Sequence, residues 1–178
     1  LDVSAFWALD IELRVYSLSQ TATTSATSAL LYLETSMQVD DVQRGFSYSR
    51  EGPLDMRMDR SRGKTAAQIL AAISAAELTQ ALREWGDEPN AEVIAHAIVK
   101  RRATEPLETT TQLSAWIQEA TQQTNWRLHP SKGKWTIHPA ARTFQALRIL
   151  VNRELANLQN LLRVLPDCLE PGGVAAII

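Results

Sequence analysis

Apolar residues recur at helical spacing through most of the 178-residue chain, and the interruptions carry the information. From Thr65 the pattern is helical, and Thr65 is placed to cap a first helix bearing Ile69, Leu70 and Ile73. Ser74-Ala-Ala-Glu77 spells a capping box, in which Ser74 and Glu77 satisfy each other's orphan N–H groups. It opens a second helix through Leu78, Leu82 and Trp85, closed by Gly86, which can take the left-handed cap. Asn90 caps a third helix with Val93, Ile94, Ala97 and Ile98 inward. Thr110 or Thr111 opens a fourth, with Leu113, Trp116 and Ile117 on one side. From Pro139 the spacing of Phe144, Leu147, Val151, Leu155, Leu158 and Leu162 predicts one long amphipathic helix to about Leu165.

Strand-like runs lie toward both ends. Residues 1–20 mix apolar and polar positions and read as a strand or a short helix, and 29–33 (ALLYL) has strand length. Between them the Ser/Thr/Ala-rich run 19–28 reads as a loop or linker. Glu170-Pro171-Gly172-Gly173 predicts a tight turn before a fully buried strand, Val174–Ile178. Four or five helices between strands describe a helical insertion within an α/β fold.

Gly45–Asp59, GFSYSREGPLDMRMD, follows neither period. Met56 and Met58 do not suit a plain surface loop, and Asp55, Arg57 and Asp59 do not suit a core segment. The mixture fits an ordered loop lining a site. It equally fits a half-buried loop held by Asp–Arg pairs.

The net charge, −2, gives the whole molecule no nucleic-acid-type basicity. Locally the picture changes. Between Glu119 and Glu154 there is no carboxylate, and Arg127, Lys132, Lys134, Arg142, Arg148 and Arg153 fall in that interval. Such a segment fits a local phosphate contact or a solvated face. Lys100, Arg101 and Arg102 either complement a helix dipole or meet RNA. Cys168 is the only cysteine, which excludes an internal disulfide or a cysteine metal cluster. No apolar run has membrane-spanning length, and no secretory signal is evident. The chain starts without an initiator Met and stops in an apolar run, so both ends are expected to be cuts through a longer protein.

No nucleophile–His–acid pattern and no metal-ligand spacing stand out, so no metal is expected. His96 sits mid-helix and reads as structural. His138 opens the long helix, where its imidazole either touches a ligand or shapes the helix start.

Three blocks taken together name a family. The first runs Ser36-Met37-Gln38-Val39-Asp40-Asp41, then Gln43-Arg44-Gly45-Phe46-Ser47, then Gly52-Pro53-Leu54-Asp55-Met56-Arg57-Met58-Asp59. The second is His138-Pro139-Ala140-Ala141-Arg142-Thr143-Phe144-Gln145-Ala146-Leu147-Arg148-Ile149, with Val151-Asn152 and Glu154-Leu155. The third is Leu169-Glu170-Pro171-Gly172-Gly173. In order and spacing they closely resemble the MraW/RsmH family, 16S ribosomal RNA cytosine-N4 methyltransferases that use S-adenosylmethionine.

The resemblance covers about residues 30–178. It implies an α/β, Rossmann-like methyltransferase fold, incomplete here, with an inserted all-helical domain. Residues 1–59 would be partial core, 60–137 the RNA-recognition insertion, and 138–178 the returning helix and strand. Gln38 matches the family's cofactor-contacting glutamine. Asp55, Arg57, Asp59 and His138 are site-shaping candidates, with no residue assigned as proton acceptor. Arg142, Arg148, Lys132 and Lys134 are RNA-binding candidates. Arg142 would meet phosphate or anchor the loop by pairing with Asp55 or Asp59. The implied partner is the small ribosomal subunit, in a bacterial cytoplasm or else a plastid or mitochondrion. Oligomeric state is left open.

Two departures from the family matter. Tyr32 stands where a cofactor-contacting Asp belongs, and Glu34 where a Gly belongs. A phenol cannot replace the acceptor pair of a carboxylate. The Gly-rich cofactor loop and the acidic ribose partner find no counterpart. The chain is thus expected to be a piece of an active enzyme, or an inactive RNA-binding remnant, with very weak cofactor binding by itself.

Overall fold

The computed structural model describes residues 13–16, 41–122, 138–169 and 174–177, with backbone alone for the first and last of these. The chain forms two compact units, Met37–Asn152 and a second comprising Leu1–Ser36 with Arg153–Ile178.

The larger unit is helical. Asp41 caps a short 3-10 turn, Val42–Arg44, by accepting from the Gln43 N–H. Five helices follow: α1 (Ala66–Ala72), α2 (Ala75–Gly86), α3 (Ala91–Arg101), α4 (Thr110–Thr121) and α5 (Ala141–Asn152). Polar side chains start three of them as reciprocal capping boxes: Thr65 with Gln68, Ser74 with Glu77, and Thr109 with Gln112. The cap of α4 is therefore Thr109, one residue before the pair expected from the pattern. Helix α2 packs on both α3 and α5, α3 on α4, and α1 on α5 and α3. Leu70, Leu78, Leu82, Ile94, Ile98, Leu113, Ile117 and Leu147 are fully buried at the centre. Each such side chain contributes about 1.5–3 kcal/mol by leaving water.

Several sequence expectations change on contact with tertiary structure. Gly86 is the last helical residue of α2, and Asp87 takes the left-handed cap at φ 47°. Gly86 serves close approach instead: a Cβ there would lie 2.6 Å from the Arg142 carbonyl oxygen on α5. Asn90 occupies the cap position of α3, but its side chain makes no cap bond. Val93 is 52% exposed, and Ala95 is buried in its place. The face of α3 is rotated because three neighbours, α1, α2 and α4, claim it.

The basic triplet is explained by packing at two of its three residues. Arg101 pairs with Glu105 and Glu119 and lies over the Trp116 ring, 4.8 Å from its centroid. Arg102 donates to the carbonyls of Leu70 and Ile73, orphan acceptors at the end of α1.

The expected long helix is two helices. Helix α5 ends at Asn152, Arg153 adopts φ 52° and ψ 40°, and α6 runs Glu154–Cys168. An Arg in the left-handed region has no sequence signature, and the apolar spacing continues across the break unchanged.

In the smaller unit, β1 (Leu13–Tyr16) pairs antiparallel with β2 (Val174–Ile177), in register Leu13↔Ile177 to Tyr16↔Val174. The expected terminal strand is present, within an antiparallel ladder. The expected strand at 29–33 and loop at 19–28 lie outside the described residues. Among the described residues the protein is mostly helical, and this two-stranded sheet is its sheet structure.

Candidate functional site

The aperiodic loop Gly45–Asp59 is half-buried, with Gly45, Gly52, Leu54, Asp55, Met56 and Met58 inside and Ser49, Arg50, Glu51 and Pro53 exposed. Gly45 turns it at φ 74°, where a Cβ would lie 2.1 Å from the Pro53 carbonyl oxygen. The chain then clamps onto the start of α4. The Gly52 N–H donates to Thr110 Oγ1 (3.1 Å), and the Thr110 N–H donates to the Gly52 carbonyl (3.0 Å). Thr110 Oγ1 in turn donates to the Arg50 carbonyl at 2.8 Å. The Leu54 N–H reaches the Glu108 carbonyl (2.8 Å). The carbonyls of Asp55 and Leu54 accept from the Ala66 and Ala67 N–H groups at the first turn of α1. Backbone groups that a loop would normally give to water are occupied within the protein.

Three loop side chains point inward: Leu54, Met56 and Met58 are 2%, 0% and 8% exposed. Met56 holds φ 61°, costly for a side chain of its size. It persists because the surroundings dictate it. The Met56 N–H donates to the Arg44 carbonyl (2.9 Å), and Arg44 Nη1 donates to the Met58 carbonyl (2.9 Å). From the other side comes Asn152, the last residue of α5. Its Oδ1 accepts from the Met58 N–H (2.8 Å), and its Nδ2 donates to the Met56 carbonyl (2.8 Å).

The loop's charges are paired locally. Asp55, itself buried, receives Arg57 Nε at Oδ1 (2.6 Å) and Arg57 Nη2 at Oδ2 (3.1 Å). Arg60 Nε stands 3.3 Å from the same Oδ2. Burial works to raise the Asp55 carboxyl, but the Arg57 hydrogen bonds and the charges of Arg57 and Arg60 outweigh it and hold it below 3.8. Asp59 accepts from Ser61 and Arg62, and these bonds lower its pKa to about 2.

His138 closes the arrangement. Its ring stacks on Tyr48 of the loop, centroids 4.4 Å apart, and Tyr48 meets Phe144 of α5 edge-on at 5.9 Å. His138 Nδ1 accepts the Ala140 N–H (3.1 Å), which places a neutral ring's proton on Nε2, 3.4 Å from the Gln118 side-chain nitrogen. Burial pushes its pKa down, toward that neutral form. Of the two roles open to it, this is the helix-starting one.

The structure therefore joins Asp55, Arg57, Asp59, His138 and Asn152 in one assembly of loop and α5. Arg142 does not join it. Its Nη1 donates to the Asp87 carbonyl (2.9 Å) past the end of α2, while Asp55 and Asp59 have the partners given above. Arg148 shares α5, and its carbonyl accepts from Asn152 Nδ2. Gln38, Tyr32, Lys132 and Lys134 lie outside the described residues. Pattern reading missed the roles of Arg60, Arg44 and Tyr48, and took Thr110 only as a helix opener, because their partners are distant in sequence or fall in an aperiodic stretch. The periodic half of the unit shows a shallow cavity of about 700 Å³ between α2 and α3, lined by residues including Thr79, Arg83, Glu92 and His96, none of them in the loop. His96 there bonds the Glu92 carbonyl of its own helix (2.8 Å). Among the described residues no group of three His, Cys, Asp or Glu is placed to hold a metal ion, and no helix is long and apolar enough to cross a membrane.

Comparison with known families matches residues 16–178 to the MraW methylase family. The chain belongs to that family. Over 143 residues, 80% of this chain, it is 48% identical to "Ribosomal RNA small subunit methyltransferase H" of Bordetella avium, covering 38% of that protein. A protein of the same name from Cutibacterium acnes is also 48% identical, with 41% of its length covered. Another, from Acidothermus cellulolyticus, is 45% identical over 157 residues, 86% of this chain and 45% of the relative. The chain thus spans less than half the length of these relatives.

Membership in a methylase family implies a methyl donor. The described residues do not form its cradle by themselves. Asp55 and Asp59 are engaged by arginines, and the amides of Gly52, Leu54, Met56, Arg57 and Met58 already have acceptors. What the described part of the loop presents is paired Asp55 and Asp59 carboxylates and a backbone hydrogen-bonded to its neighbours.

Proposed function

We propose that this protein transfers a methyl group to N4 of a cytosine in small-subunit ribosomal RNA, with S-adenosylmethionine as donor. The observation that carries this reading is the assembly of the Gly45–Asp59 loop with α5 through Asn152 and the Tyr48–His138 stack. These are two of the three sequence blocks that name the family, and they meet in space. When bound, the donor would supply an electrophilic methyl group; Gln38 is the residue assigned to it by resemblance. The protein's own task is to align amine and methyl, exclude water and leave a path for a proton. A pinned loop with paired charges suits the first two, because it neither reorganises nor brings unpaired ions into the site.

The proposed architecture is a Rossmann-like core, residues 1–59 and 138–178, interrupted by a helical insertion at 60–137. The insertion would meet the RNA with Lys132 and Lys134 as phosphate contacts, joined by Arg142 and Arg148 of the returning helix, and the site of action would be a bacterial cytoplasm. Incubating the full-length protein with unmodified small ribosomal subunits and labelled S-adenosylmethionine, then digesting the RNA to nucleosides, tests this. N4-methylcytidine is expected, and its absence from a folded preparation sinks the reading. A second reading, an RNA-binding remnant without transfer, draws on Tyr32 in place of a carboxylate. Binding of small subunits without methyl transfer would favour it. Calorimetry with this chain and S-adenosylmethionine is expected to show very weak binding, and micromolar affinity would count against the remnant.

A further inference from the structure

The geometry points to Asn152 as the positioning residue of the Gly45–Asp59 loop, a latch that fixes Arg57 from both sides. An Asn side chain carries one carbonyl acceptor and two amide donors. Here the acceptor takes the Met58 N–H, and the donors reach the carbonyls of Met56 and Arg148. The Met56 and Met58 bonds flank Arg57, whose guanidinium grips Asp55. The third bond ties the latch to the last turn of α5. Met56 is held at positive φ, so its carbonyl faces the amide only while the loop keeps this form. Arg44 holds the same three residues from the opposite side through backbone and guanidinium. Were Arg44 sufficient, Asn152 would be dispensable.

The catalytic half of this inference rests on the methyltransferase reading; the structural half does not. The chemistry distinguishes a latch from mere bulk. Asn152→Asp keeps the acceptor for Met58 but sets a carboxylate against the Met56 carbonyl. Protonation of the introduced carboxyl restores a donor, so function should return as pH falls. Asn152→Ala removes all three bonds.

The experiment uses the full-length protein, with hydrogen exchange at the Met58 amide and methyl transfer to small subunits. Asn152→Ala is expected to speed Met58 exchange at least about tenfold. It should lower kcat roughly 100-fold, with KM for the subunit within about twofold. Asn152→Asp should lose activity at pH 8 and regain most of it toward pH 5, a limb the parent lacks. Unchanged Met58 exchange in Asn152→Ala overturns the inference, as does a kcat equal to the parent's. A loss in Asn152→Asp that is the same at every pH also overturns it. If Asn152→Ala does not fold, the pH profile of Asn152→Asp activity decides the inference. A parent protein that transfers no methyl group overturns the proposed function, and Met58 exchange then decides the latch by itself.

Discussion

Arg57 grips the carboxylate of Asp55, two residues away, through two parallel hydrogen bonds, Nε to Oδ1 at 2.6 Å and Nη2 to Oδ2 at 3.1 Å. Asp55 is buried and Arg57 partly so, and Asp55→Asn takes the charge out of both hydrogen bonds. Asp55→Asn is expected to lower stability by roughly 1–3 kcal/mol, read as a shift in urea midpoint. Arg60→Ala touches the same carboxylate from a half-exposed side chain and should cost below about 1 kcal/mol. The pH dependence has a fixed sign. The folded-state pKa of Asp55 lies below its unfolded value, 3.8. Its contribution is fully present above 3.8 and is lost as pH falls through the lower folded value. Asp55→Asn should flatten the acid limb of the stability profile; an unchanged limb would show that the pair does not contribute.

Gly45 and Gly63 share one conformation in different surroundings, at φ 74° and 75°. A Cβ on Gly45 would collide with the Pro53 carbonyl oxygen and the Asp55 nitrogen, whereas one on Gly63 meets nothing within 4 Å. Gly63→Ala should therefore cost only the left-handed penalty, about 1–2 kcal/mol. Gly45→Ala adds a backbone clash that no rotamer relieves, so its loss of stability should be clearly larger. Equal thermal midpoints for the two variants would mean that the loop yields freely at Gly45.

How much of this was legible beforehand follows from the range of each interaction. Capping boxes at Ser74 and α1 are contacts between residues three apart, and pattern alone places them. The inward faces of α1, α2 and α4 follow from one period and one buried side. Val93 defeated that logic because α3 packs against three neighbours, α1, α2 and α4. The break at Arg153 left no trace because the apolar period runs through it. At the site, the loop stood out because it obeyed no period, and resemblance named its family. What its residues do depended on partners far along the chain. Asn152 and Met58 are 94 positions apart, and Gly52 and Thr110 are 58 apart. Arg142 seemed a partner for the loop's carboxylates by charge, yet nearer arginines, Arg57, Arg60 and Arg62, reach them first.

Arg102 supplies a test of structure against nucleic-acid contact within one basic triplet. Its Nη1 donates to the Leu70 carbonyl and, at 2.7 Å, to that of Ile73, acceptors left over where α1 ends. Arg102→Ala leaves both without this donor and should lower stability by about 1–3 kcal/mol. Lys100, exposed on the same helix end, should be replaceable by Ala within about 0.5 kcal/mol. Chemical denaturation of the two variants separates the roles. A stability loss for Lys100→Ala as large as that for Arg102→Ala would contradict the capping account.

His138 and Tyr48 offer the last test, because their stack is the aromatic tie between the signature loop and the start of α5. A double-mutant cycle with His138→Ala and Tyr48→Ala should return a coupling of about 0.5–1.5 kcal/mol. The sign of the pH effect is again set by the structure. Burial lowers the folded pKa of His138 below its unfolded value, 6.5, because the charged ring would lose water and gain no carboxylate among its described partners. Protonation also removes the Nδ1 lone pair that accepts the Ala140 N–H. Stability from this residue is thus fully present above 6.5 and is lost as pH falls through the folded value. The parent should weaken between neutral pH and about pH 5, and His138→Asn, which keeps an acceptor for the helix start but does not titrate, should not. If His138 instead gained a proton on folding, the parent would strengthen over that interval, and the helix-starting role would fail.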